Sequence, residues 1–135
     1  MLVFVDTSAL IALAVRSDAN HRAASSHLKR TLEEGTRMVI GRPVLIEYID
    51  GVTKRVGKRA AIEQLRLIEA SAAMRVEEDI PDDHARAREV FLQYDDQEID
   101  MTDSLSFAMM ERLGMRDVFT FDRDFAVHGF QTQPG

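Results

Sequence analysis

Leu2-Val3-Phe4-Val5-Asp6-Thr7-Ser8-Ala9-Leu10-Ile11 opens the chain and decides its class. Four apolar residues without polar alternation make a strand buried on both faces, as in a parallel sheet. Thr7 or Ser8 can cap the helix that follows, in which Leu10, Ile11, Ala14 and Val15 recur at helical spacing. Working outward, the same strand-then-helix unit repeats. Ser17 to Asn20 is a turn, and a helix from His21 to Glu34 stops at Gly35, a natural C-cap. Met38-Val39-Ile40 is the next strand. Pro43 suits the first turn of a helix running toward Gly57. Another helix covers Lys58 to Ala70, followed by a brief strand at Met74 to Val76. Pro81 starts a helix to about Tyr94, Tyr94 to Asp100 is an acidic loop, and Thr102 to Leu113 is a helix stopped by Gly114. Val118 to Phe121 is the last strand, and only the last few residues of the chain are expected to be loose. The alternation predicts an α/β fold with a mostly parallel sheet.

Length and composition bound the function. With 135 residues, 45% apolar and 30% charged, the chain is expected to form one domain, residues 1–135, with a core of its own. The absence of cysteine removes disulfides, zinc–thiolate sites and thiol nucleophiles, and fits a reducing cytoplasm. The longest apolar run, Ala9 to Val15, falls well short of the ~20 residues that span a bilayer. No charged segment precedes an apolar stretch at the N-terminus, unlike a signal peptide. No membrane role is therefore expected, and the location expected is cytoplasmic.

Four carboxylates stand where the elements change. Asp6 closes the first strand, Asp122 follows the last, Asp103 opens a helix after Thr102, and Glu47 lies one turn into the Pro43 helix. Parallel sheets bind ligands outside the carboxyl ends of their strands, so these four can converge there. Each has an ordinary explanation taken singly: Asp6 and Asp103 as helix caps, Asp122 as a turn residue. Glu47 is flanked by Val44, Leu45, Ile46, Tyr48 and Ile49, which predicts a mostly buried helix and hence a Glu in need of a partner. Together they point to a hard divalent cation, Mg²⁺ or Mn²⁺, held by carboxylate oxygen. Neutralising four acids would bring the formal charge from −6 to −2, so local charge governs any nucleic-acid contact. Arg42 and Arg123 flank acid positions and are candidate phosphate contacts. Lys54, Arg55, Lys58 and Arg59 form the densest basic run, which as a solvated helix end suits the macrodipole. His21, His27, His84 and His128 share no motif and are expected to be packed or at the surface.

FVDTSAL (Phe4 to Leu10), PVLIEYID (Pro43 to Asp50), MTDSLSFAMMERLG (Met101 to Gly114) and VFTFDRDFAVHGF (Val118 to Phe130) together resemble the PIN domain. The closest likeness is to the VapC toxins of bacterial and archaeal toxin–antitoxin modules. The resemblance runs nearly end to end. It implies a three-layer fold, a central mostly parallel sheet flanked by helices, and a metal-dependent endoribonuclease. Asp6, Glu47, Asp103 and Asp122 would be the Mg²⁺ or Mn²⁺ ligands, with Thr7 or Ser8 holding a ligand water or a phosphate. It also implies an RNA substrate, a VapB-like antitoxin seated on the apolar helices between His21 and Gly57, and a homodimer. The chain departs from the family pattern at Gly41-Arg42-Pro43, where a small polar residue is common, at Asp124, where histidine is frequent, and at Asp100, where serine is frequent. Asp100 and Asp124 are accordingly accessory acids.

Other readings remain beside the toxin: a PIN ribonuclease of RNA processing, or a PIN module that binds metal or RNA without cutting. A haloacid-dehalogenase-like phosphatase would need an aspartate where Ser8 stands and a late lysine, and none follows Lys58. A receiver domain fails for want of the same lysine.

Overall fold

Strand formation begins where burial is complete. In a computed structural model describing residues 1–135, β1 (Leu2–Val5) buries Val3, Phe4 and Val5 entirely. Four more strands join it: β2 (Arg37–Gly41), β3 (Met74–Glu77), β4 (Asp117–Phe119) and β5 (Gln131–Gln133). They form one sheet in the order β3-β2-β1-β4-β5, every pairing parallel. Leu2 pairs with Arg37 and Phe4 with both Val39 and Val118.

Helices supply every crossover: α1 (Thr7–Ala14) and α2 (His21–Glu33), α3 (Arg42–Arg55) and α4 (Lys58–Ala70), α5 (Pro81–Gln93) and α6 (Met101–Leu113), then the single turn α7 (Asp124–Val127). The chain steps outward from β1 to β2 and β3, then returns to the other side of β1 with β4. The order therefore reverses between β1 and β4, which is where open parallel sheets leave a crevice at their carboxyl ends.

Packing explains two glycines. At Gly41 a Cβ would stand 3.2 Å from Met109 Sδ and 3.3 Å from Phe4 Cζ, so any side chain there would press on the core. Gly114 ends α6 at φ 68°, and Met115 N–H reaches back to Met110 O at 2.9 Å, the left-handed C-cap expected. Within α6, Ser104 through Met110 are all buried, so Met109 and Met110 are core. Tyr48 is buried as well, and its hydroxyl donates to Gln64 Oε1 at 2.8 Å, tying α3 to α4.

The tail differs from expectation. Gln131–Gln133 pairs with β4 as an edge strand, and Thr120 N–H donates to Gln133 O at 3.0 Å. QTQ carries no apolar pattern because an edge strand can be ordered by its backbone bonds alone. β4 ends at Phe119, two residues earlier than expected, leaving Phe121 and Asp122 in the turn beyond. No helix is long and apolar enough to cross a membrane.

Candidate metal centre

Asp6 caps α1 and is only 4% exposed. Its Oδ2 accepts from Ser8 N–H at 3.3 Å, Ser8 Oγ at 2.7 Å and Thr120 Oγ1 at 2.8 Å. Each hydroxyl thereby spends its proton on Asp6 and is free to accept elsewhere. Ser8 Oγ accepts Phe121 N–H at 3.0 Å, and Thr120 Oγ1 accepts Asp122 N–H at 2.9 Å. Asp6 is thus coupled through two hydroxyls to the turn carrying Asp122. Burial pushes its carboxyl up, against the pull of these bonds. Thr120 escaped the sequence reading, although a threonine inside an apolar strand end is a polar group that needs a partner. The cap itself is Asp6 rather than Thr7 or Ser8.

On α6 the cap is Asp100, whose Oδ1 accepts Asp103 N–H at 2.8 Å. This sets Asp103 on the first turn, facing the β4 turn. There Asp122 Oδ1 accepts Asp124 N–H at 2.9 Å. Asp103, Asp122 and Asp124 each bring a carboxylate oxygen within 4.8 Å of the others. The Asp103 carboxyl is pushed up to about 8, by burial first and then by Asp100, Asp6, Asp122 and Asp124. Burial and the charge of Asp122 also raise Asp124.

Asp6 and Glu47 line the same crevice outside this trio. Glu47 is exposed on the outer side of α3, so the burial expected of it does not occur; Ile46 beside it is 55% exposed. Tyr48, Leu45 and Val44 carry the inward face instead. The crevice encloses about 630 Å³ and adds Asp18, Asn20, Arg55 and Asp100 to the residues already named, with Thr7, Ser8 and Arg123 on its wall. No histidine lines it. The four histidines are engaged elsewhere, with Ala12 O, Gln133, Asp79 and Tyr94. Arg42 stands apart: Glu78 holds its guanidinium, Nη2 to Oε2 at 2.8 Å, and it does not line the crevice.

Seven carboxylates therefore share one crevice: Asp6, Asp18, Glu47, Asp100, Asp103, Asp122 and Asp124. None of them is in an ion pair. Thr7 Oγ1, on the same wall, is buried without a hydrogen-bond partner. A donor set made only of hard oxygen, uncompensated in charge and with an orphan hydroxyl beside it, fits a hard divalent cation.

Known proteins share this plan. The PIN domain family model matches residues 3–131. The 23S rRNA-specific endonuclease VapC20 of Mycobacterium tuberculosis is 34% identical over 130 residues, which is 96% of this chain and 95% of that protein. The crystal structure of M. tuberculosis VapC20, a Sarcin-Ricin loop cleaving toxin, superposes with a TM-score of 0.83 at 32% identity, covering 95% of each chain. VapBC2 from Rickettsia felis, solved bound to a DNA fragment from its promoter, shares the fold at a TM-score of 0.75 and 14% identity, covering 98% of each chain.

Proposed function

Because the chain belongs to the PIN-domain family, we propose that it is a metal-dependent endoribonuclease, the toxin of a VapBC-type pair. The observation that carries this reading is the trio Asp103, Asp122 and Asp124, gathered at the reversal of the sheet without a counter-cation. Like charges brought together oppose one another's ionisation, so the cluster is unfavourable without a cation to offset it.

Asp103, Asp122 and Asp124, with Asp6 behind them, would hold Mg²⁺ or Mn²⁺. When bound, such an ion lowers the pKa of water and offsets charge on a phosphate. The protein's own part is positional. Ser8 and Thr120 hold the Asp6 carboxylate against the Asp122 turn, and Asp100 fixes the first turn bearing Asp103. Thr7 Oγ1 is an unengaged hydroxyl suited to a ligand water or a phosphate oxygen. Glu47, exposed at the rim, is suited to orient the attacking water. Arg123 is a phosphate contact.

Water attacks in this scheme, not the 2′-hydroxyl, so the products carry 5′-phosphate and 3′-hydroxyl ends. Mapping the ends of a cleaved RNA tests this. Products that a 5′-phosphate-dependent exonuclease degrades are expected, and 2′,3′-cyclic phosphates would overturn the mechanism.

An apolar groove of about 480 Å³ lies between α1, α2 and α4, lined by Leu10, Leu13, Leu28, Leu67 and Ile68. It extends past the His21–Gly57 helices onto α1 and α4, and it is where we place the antitoxin. Self-association into a homodimer completes the reading.

A further inference from the structure

Resting on the nuclease reading, we propose that Arg55 and Arg123 form two phosphate subsites that hold a single RNA strand along the acidic crevice.

They are the only cations among the residues lining the crevice. Seven carboxylates line it with them, yet neither guanidinium lies within 4.0 Å of a carboxylate oxygen. The arginines that serve structure behave otherwise. Arg42 is held by Glu78, Arg86 by Glu89 and Glu111, and Arg112 by Asp83. Arg55 and Arg123 are exposed and unengaged like surface arginines such as Arg16 and Arg59, but these two line the crevice, where a substrate phosphate can reach them.

Their placement separates them. Arg55 ends α3, which follows β2, whereas Arg123 stands in the turn after β4. Arg123 sits between Asp122 and Asp124, within the trio's own turn, and Arg55 lines the same crevice from the end of α3. Along α3, Glu47 and Arg55 both line the crevice, eight residues apart. At about 1.5 Å per residue the crevice follows that helix for about 12 Å, beyond the reach of a single carboxylate group. A phosphodiester entering a crevice of carboxylates is repelled, and one cation at the trio with another at the end of α3 offset that repulsion along the strand.

The test is the salt dependence of binding. A fluorescein-labelled single-stranded RNA is titrated with the protein by anisotropy in CaCl₂ across a series of KCl concentrations. Arg55→Gln, Arg55→Lys and Arg123→Gln are compared with Arg59→Gln, which removes the same charge from the same basic run but outside the crevice. Each subsite lost should flatten the slope of log K against log salt by about 0.7. Arg55→Gln and Arg123→Gln are expected to do so and to weaken binding several-fold, Arg55→Lys to keep the slope, and Arg59→Gln to leave it unaltered. Wild-type slope in Arg55→Gln, or an equal loss in Arg59→Gln, would overturn the assignment. A wild type that binds the RNA but never cuts it sinks the nuclease reading instead, and the slopes still decide the arginines.

Discussion

Asp103 shows most directly what the site costs the fold. Its folded-state carboxyl, pushed up to about 8, lies above the roughly 3.9 of an unfolded aspartate. Between those values the native state holds the extra proton, so stability falls as pH rises from about 4 to about 8 and levels off above. Melting temperature in EDTA is expected to decline over that window, and Asp103→Asn to flatten the decline and raise the melting temperature at pH 8. A wild-type melting temperature independent of pH would contradict the crowding of charge described. Thr120→Val removes one bond to buried Asp6 and one acceptor for Asp122 N–H. Destabilisation of about 1–3 kcal/mol is expected, with cleavage falling further than stability explains, as denaturation and rate measured on one preparation would show. Asp6, Asp103 and Asp122 could be read from the chain because each marks a change of element. Thr120 could not, since its role rests on a contact 114 residues away with Asp6. Glu47 was singled out for burial that its neighbours have and it lacks, because a flanking apolar pattern does not say which side of the helix a residue faces. Arg42 pairs with an acid that flanking sequence does not show, Glu78, 36 residues away.

Two of the helices that bear the site are capped by site acids, α1 by Asp6 and α6 by Asp100. Asp100 caps α6 while adding charge beside Asp103. Asp100→Ala removes both effects and Asp100→Asn only the charge, because asparagine caps about as well as aspartate. Alanine is expected to cost about 1 kcal/mol, and asparagine to leave stability level or higher in EDTA; chemical denaturation of the two variants separates cap from charge. At the head of α3, Gly41→Val would press on Met109 and Phe4. A loss of about 1–3 kcal/mol follows from such overpacking, and calorimetry would register it. Helix starts and stops were legible wherever a side chain announced them: Pro43, Pro81, Gly35 and Gly114 each stand at the boundary expected. β5 was not legible. Its order comes from pairing with β4 at the sheet edge, and nothing in Gln131-Thr132-Gln133 signals a buried face.

At the scale of the whole molecule, the reversal of strand order between β1 and β4 turns separate acids into a site. Alternating strands and helices revealed the α/β class, but strand order is set by which crossovers pack together, and no local pattern encodes it. The same topology explains how a chain of net charge −6 can meet a polyanion: its charge is concentrated where a cation can offset it, with Arg55 and Arg123 on the same wall. Divalent ion should therefore stabilise the fold, and more so at pH 8 than at pH 5, where the extra proton on Asp103 competes. Thermal melts with and without Mn²⁺ at the two values would show a larger rise at the higher pH, and equal rises would argue that the ion binds elsewhere. The most direct measurement is cleavage of a defined RNA pool by purified wild type and Asp122→Asn, in EDTA and then with Mn²⁺ or Mg²⁺ restored. Cutting that appears only with the ion and is lost in the variant is the expected result. Cutting that persists in EDTA, or in a folded Asp122→Asn protein at wild-type rate, would contradict a metal-dependent site built on these carboxylates.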